Sequence, residues 1–128
     1  MHVLICGSRR FNDYEFFKEK IDRFIFCKKI DEIISGGATG ADTLAERYAI
    51  ENNIPIKVFI ADWKGLGKKA GPIRNSQMLE YLLKTEGERL VLAFVDSQCK
   101  GTWDMVSKAK KANVPVYIID TEKDEMVV

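Results

Sequence analysis

The stretch Ile33-Ile34-Ser35-Gly36-Gly37-Ala38-Thr39-Gly40-Ala41-Asp42 decides the fold of this chain. An apolar run stops at paired glycines and a third glycine follows at Gly40. Ala41, Leu44, Ala45, Tyr48 and Ala49 then fall on one side of a 3.6-residue period. The order is strand, tight turn, helix. Such a turn gathers free backbone N–H groups and the positive end of a helix dipole at one point, where an anion such as a phosphate is favoured. The spacing is neither G-x-x-x-x-G-K-[ST] nor G-x-G-x-x-G. The plainer alternative is a corner, with Thr39 capping the helix and Asp42 closing a capping box three residues later. The loop alone does not choose between them.

The same alternation recurs on both sides. Val3-Leu4-Ile5-Cys6 reads as a buried strand ending at Gly7-Ser8-Arg9. Asn12 or Asp13 caps a helix whose apolar stripe is Phe17, Ile21, Phe24 and Ile25. Glu32 to Ser35 is the second strand and Pro55 to Ile60 the third, with proline tolerated at a strand's first position. Ala61 to Pro72, rich in glycine and lysine and holding Trp63, reads as a long functional loop. The helix after it carries Arg74 and Met78 on a shared face. Leu90 to Val95 is the most hydrophobic run and predicts a central fourth strand. Gly101-Thr102 then opens a helix with Met105, Ala109 and Ala112, and Val116 to Ile119 forms a fifth strand. The tail, residues 121–128, is charged and then apolar and receives no assignment.

Short apolar strands alternating with amphipathic helices predict an α/β fold: a Rossmann-like three-layer sandwich with a five-stranded, mainly parallel sheet and helices on both faces. With right-handed crossovers and strand order 3-2-1-4-5, a crevice opens at the carboxyl ends of strands one and four, where such sheets bind ligands. Gly7-Ser8-Arg9 and Gly101-Thr102 meet there, with Gly36-Gly37 beside them.

The 128 residues fit one domain, with a core over about residues 2–120. An apolar share of 46% against 30% charged residues argues against disorder. Lys plus Arg total 20 and Asp plus Glu 19, a net charge of +1 that argues against nucleic acid as the main partner while allowing a small anionic ligand. No apolar run reaches bilayer length and the start lacks a secretory pattern, so a cytoplasmic protein without membrane association is expected. Cys6, Cys27 and Cys99 have neither metal-ligand nor C-x-x-C spacing, and His2 is the sole histidine. Neither metal, other cofactor, disulfide framework nor histidine-based nucleophilic catalysis is expected.

Gly7-Ser8-Arg9 with Phe11 and Asp13, Ser35-Gly36-Gly37-Ala38 with Gly40-Ala41-Asp42, Ala61-Asp62-Trp63, Gly71 with Arg74-Asn75 and Met78, and Phe94 with Gly101-Thr102 together resemble the YspA-like branch of the SLOG superfamily. The resemblance runs in order from residue 3 to about residue 119. It implies a Rossmann-like fold that binds or processes nucleotides or nucleotide-derived signals, such as a nucleoside phosphate, ADP-ribose or an NAD-like molecule. The implied ligand-binding residues are Gly7, Ser8, Arg9, Ser35, Gly36, Gly37, Ala38, Gly40, Asp42, Asp62, Trp63, Gly71, Arg74, Asn75, Gly101 and Thr102. Arg9 and Arg74 would neutralise phosphate, and Trp63 would stack on a base, close the pocket or simply anchor its loop.

The chain is more distantly similar to the lonely-guy phosphoribohydrolases, which cleave the N-glycosidic bond of nucleoside monophosphates. Their Arg and Met four apart are matched by Arg74 and Met78. Their Gly-Thr pair is matched by Gly101-Thr102, but their catalytic Glu is replaced by Met105. Asp104 stands one residue away, about 100° round the helix. Hydrolysis would need a substitute carboxylate from Asp42, Asp62, Asp96 or Asp104, and Arg74 with Asp104 is the expected catalytic pair. Loss of the Glu fits a sensor or sponge better. A homo-oligomer, a dimer, is expected as common for this fold, and the resemblance extends to the DNA-processing protein of natural transformation. The alternative is therefore a single-stranded nucleic-acid binder using Lys64, Lys68, Lys69 and Arg74 around the aromatic.

Overall fold

The computed structural model describes residues 1–26 and 28–127; Cys27 and Val128 lie outside them. The elements are β1 (His2–Gly7), α1 (Tyr14–Phe24), β2 (Glu32–Ser35), α2 (Ala41–Glu51), β3 (Ile56–Val58), α3 (Trp63–Leu66), a 3-10 turn (Gly67–Lys69), α4 (Ala70–Leu83), β4 (Arg89–Val95), α5 (Gly101–Lys111), β5 (Val116–Asp120) and β6 (Glu125–Val127). They form one sheet of order β3-β2-β1-β4-β5-β6, in which only β6 runs antiparallel. Strands one to five take the expected order.

The two-residue period of β1 sorts the layers. Val3 and Ile5 face a core with Phe17 and Ile21 of α1, Ala45 and Tyr48 of α2, and Leu92 and Phe94 of β4. Leu4 and Cys6 face the opposite core with Met78 and Leu82 of α4, and Met105 and Ala109 of α5. Strands buried on both faces read as unbroken apolar runs because neither face meets water. On the first face Phe17 is the hub: its ring lies 4.8 Å from Phe94 and 6.3 Å from Tyr48.

Asp13 caps α1, accepting the Phe16 N–H at 3.1 Å, and Phe17 and Ile21 are buried while Phe24 and Ile25 pack partly covered against the same core. Four local expectations are corrected. First, the sheet has a sixth strand, because the tail turns at Asp124, with its φ of 51°, and pairs Met126 with Ile119. Second, β3 is three residues long, and beyond it Ile60 is 79% exposed. An edge strand half open to water gives an alternating strand pattern little to hold it. Third, the glycine-lysine stretch after Ala61 is helical: Asp62 caps α3, accepting the Gly65 N–H at 2.9 Å, and Gly67 at φ 60° resets the chain toward α4. Pro72 sits in the first turn of α4, where its missing N–H costs nothing. Fourth, Thr39 does not cap α2; Gly40 holds that position and the Thr39 hydroxyl donates to the Arg9 carbonyl at 3.2 Å.

Gly40 is where β1 meets α2. At φ 78° and ψ −130° it occupies backbone space that side-chain-bearing residues avoid, and a Cβ there would collide with the Ser8 carbonyl oxygen and lie 2.5 Å from the Arg9 carbonyl carbon. Gly40→Ala is expected to destabilise the protein by about 2 kcal/mol or more. Urea unfolding checks this; a variant as stable as the parent would mean that the two backbones do not pack this closely.

Candidate functional site

A cavity of about 530 Å³ opens at the carboxyl ends of β1 and β4, within the size range of small-molecule sites. Cys6 to Arg10 form one wall at the end of β1, and Ala38 with Asp42 form the back. Trp63, Lys68, Gly71, Pro72, Arg74, Asn75 and Met78 close the α3–α4 side. Gln98, Cys99 and Lys100 lead into Gly101, Thr102 and Asp104 of α5. This is the crevice that strand order creates, because β1 and β4 send their following helices to opposite faces.

Helices α2, α3, α4 and α5 all begin beside the cavity, and α2 and α5 flank the crevice from opposite faces of the sheet. The first turn of α2 is already occupied: the Ala41 N–H donates to the Ser8 carbonyl at 3.1 Å, and Asp42 Oδ2 accepts the Ala38 N–H at 3.1 Å. The anion expected at the Gly36–Asp42 turn would meet a carbonyl and a carboxylate there. In contrast, α5 starts at Gly101 without a side-chain cap, and Gly101 and Thr102 line the cavity.

The polar groups around this helix are fixed by one hub. Asn75 is buried; its Nδ2 donates to the Gly101 carbonyl at 3.2 Å and to Asp104 Oδ2 at 3.0 Å, while its Oδ1 accepts from Arg74 Nε at 3.2 Å. Asp104 also accepts from Lys108 Nζ at 2.8 Å. The helix turns Asp104 toward the cavity and Met105, which is fully buried, into the core. Arg74 Nη1 donates to the Gly36 carbonyl at 2.7 Å, so two of its donor nitrogens are committed to the protein.

At the back, Asp42 is 6% exposed. Burial pushes its carboxyl up to about 6, against the opposing pull of the Ala38 N–H, Arg74 and Arg9. Among the described residues its Oδ1 has no hydrogen-bond partner, and it is not among the fully buried orphan atoms, so it opens on the cavity. Burial likewise draws Arg74 below the usual arginine value and pushes the Cys6 thiol well up, leaving that thiol protonated and inert. At the mouth the Arg9 guanidinium lies 5.0 Å from the centre of the Trp63 ring. The ring edge approaches Gly71 closely enough that a Cβ there would be 3.3 Å from it.

Of the residues singled out in the sequence, Gly7, Ser8, Arg9, Ala38, Asp42, Trp63, Gly71, Arg74, Asn75, Gly101, Thr102 and Asp104 line the cavity. Five others stand behind its wall. Ser35 is buried and donates to the Asp42 carbonyl at 3.4 Å; Gly36 is covered by Arg74. Gly37 packs against Val58 and Ile60, Gly40 against Ser8 and Arg9, and Asp62 is spent on capping α3. Asp96, a candidate carboxylate, is also outside: it receives the Ser8 hydroxyl, the Gln98 N–H at 2.9 Å and Arg10 Nη2 at 3.3 Å. Sequence reasoning missed Gln98, Cys99 and Lys100. Their position between the end of the fourth strand and Gly101 was the available signal. Arg10 is likewise fixed to Gln98 Oε1 at 2.6 Å, and the turn after β5 secures the same loop through Glu122, which accepts the Ser97 N–H at 2.6 Å.

The YspA, cpYpsA-related SLOG family matches residues 1–65, which carry β1, the glycine turn and Trp63. The gene 61 protein of Mycobacterium phage D29 is 32% identical over 123 residues, covering 89% of this chain and 92% of the phage protein. The chain belongs to the YspA, cpYpsA-related SLOG family. Membership associates it with nucleotide-related ligands in general, and the similarity extends to a phage protein. No solved structure matches the chain. Among the described residues no helix is long and apolar enough to cross a membrane, and no cluster of acidic, histidine or cysteine side chains has metal-site geometry.

Asp96 gives the rim a pH dependence. Burial works to raise its carboxyl, but the Ser8 hydroxyl, the Gln98 N–H and Arg10 outweigh it and hold the group below the usual carboxylate range. A depressed carboxyl stabilises the fold above its unfolded-state value and loses that contribution as pH falls through the folded-state value. Urea midpoints measured from pH 7 down to pH 3 should therefore fall less steeply for Asp96→Asn than for the parent. Ser8→Ala should cost about 1.5–3 kcal/mol at pH 7.

Proposed function

We propose that the cavity binds a nucleotide-derived small molecule carrying at least one phosphate, with the phosphate at the first turn of α5. The uncapped N-terminus of α5 at a crevice between β1 and β4 carries this reading. Arg9, Lys68 and Lys100 line the same cavity and have no ion-pair partner among the described residues. They supply positive charge to a chain whose net charge is only +1. Trp63, 47% exposed at the mouth, supplies an aromatic face for a base or a closing edge.

Binding as a sensor or sponge is favoured over turnover. The place of the phosphoribohydrolase Glu is filled by a buried methionine, and Asp104 is held by Asn75 and Lys108. Hydrolysis of an N-glycosidic bond would fall to Asp104 with Arg74 and would release free base. Exposed Lys64, Lys68 and Lys69 beside Trp63 and Leu66 support the second reading, a single-stranded nucleic-acid binder.

A thermal-shift series with AMP, GMP, CMP, UMP, ADP, ADP-ribose, NAD and cyclic nucleotides tests both. A true ligand at a hundred times its Kd stabilises the fold by about 2.7 kcal/mol, a rise of several degrees. Arg9→Ala combined with Lys100→Ala should reduce that rise, and chromatography of the incubated samples detects free base. Binding of an oligo-dT strand that weakens steeply with salt, together with no response to any mononucleotide, would replace the small-molecule reading. Sedimentation of the same samples reads out the homodimer expected for this fold.

A further inference from the structure

The back of the cavity holds an uncommon arrangement. Asp42 and Arg74 are both drawn out of water, and they do not form an ion pair with each other. Gly36 stands between them: a Cβ on it would lie 2.7 Å from Arg74 Nη1 and 3.0 Å from Asp42 Oδ2. Arg74 Nη1 is taken by the Gly36 carbonyl and Nε by Asn75, so Nη2 is the nitrogen left free among the described residues. On the other side, Oδ2 of Asp42 is taken by the Ala38 N–H and Oδ1 is left free. Two residues that line the cavity, Asp42 and Arg74, thus each keep one polar atom that is without a protein partner and is not fully buried.

Such a pair selects by charge and by hydrogen bonding. A phosphate placed between them would be repelled by the carboxylate, and an ammonium by the guanidinium. A hydroxyl meets both needs, because it donates one bond and accepts another. Leaving either group unmet is costly at this depth, so a ligand lacking the hydroxyl is penalised as well as unrewarded. With the phosphate at α5, the hydroxyl-bearing part of a sugar is the portion of a nucleotide that is uncharged and bears adjacent hydroxyls.

We propose that Asp42 and Arg74 together hold a ribose hydroxyl of the ligand, making the site selective for ribose over deoxyribose compounds. This rests on the reading of the cavity as a nucleotide site and adds which sugar it takes. The preference depends on the ionised carboxylate, which makes a stronger bond to a hydroxyl than the neutral acid does. The charged groups around Asp42 are Arg74 from α4, Arg9 from the turn after β1 and Glu46 on its own helix, and the Cys6 thiol of β1 also faces it. With its carboxyl pushed up to about 6 by burial, selectivity should narrow as pH drops below that value.

The test compares ribose 5-phosphate with 2-deoxyribose 5-phosphate, and AMP with 2′-deoxy-AMP and 3′-deoxy-AMP, by calorimetric titration at pH 7.5 and pH 5. The expected result is a preference of about tenfold or more for the ribose compounds at pH 7.5, smaller at pH 5. Asp42→Asn keeps an acceptor for the Ala38 N–H and should reduce the preference toward unity at both pH values. Equal binding of ribose and deoxyribose compounds by the parent protein overturns the inference while leaving the nucleotide reading intact, and needs no variant to fold. A preference that survives in Asp42→Asn overturns it too, by moving sugar recognition elsewhere. Failure of every phosphorylated sugar and nucleotide to bind overturns both readings.

Discussion

Backbone contact at Ser8 sets the geometry of the whole rim. Its N–H donates to the Phe94 carbonyl at 2.8 Å, and its carbonyl accepts the Ala41 N–H at 3.1 Å. Gly7 and Gly40 let β4 and α2 come this close: a Cβ on Gly7 would lie 2.6 Å from the Phe94 oxygen and 2.7 Å from the Ala41 Cβ. One residue thereby joins the first strand to the fourth strand and to the second helix. The Ser8 side chain extends the same junction to Asp96, so the wall of the cavity inherits the rigidity of the central sheet.

Against that rigid wall, the back of the cavity is built at a cost. An aspartate raised from 3.8 to about 6 by burial forfeits about 3 kcal/mol when ionised at neutral pH. That net cost already includes the relief given by the hydrogen bond from Ala38. An asparagine would satisfy the same N–H without carrying a charge out of water. The carboxylate is thus a local departure from what stability alone favours, of the kind proteins tolerate where a group serves a ligand.

The sheet order, the layers and the position of the crevice were all legible in the chain. Buried parallel strands such as Leu90 to Val95 are unbroken apolar runs, and the glycines that end β1 and follow β2 fix where those turns fall. Site membership was read less well, because turn residues can face inward or outward. Gly36, Gly37 and Gly40 allow an anion cradle by local pattern but are filled by Arg74, by Val58 with Ile60, and by the Ser8–Arg9 backbone. That filling comes from residues distant in sequence, which no local pattern encodes. Asp104 illustrates the same limit: helical periodicity separates it from position 105, but only the tilt of α5 against α4 and the sheet decides which one meets the cavity. The sixth strand escaped notice because Glu125 to Val127 is too short and too charged at its start to read as a strand, and pairs only because β5 offers it an edge.

The hairpin of β5 and β6 forms the outer border of the sheet, and the turn inside it reaches across to the loop ahead of α5 through Glu122 and Ser97. Border strands are sites where a foreign strand can pair. Here β6 covers the edge of β5, and the turn between the two strands braces the cavity's cationic lip. The border hairpin and the loop that leads into the crevice are thereby tied by a single carboxylate-to-amide bond.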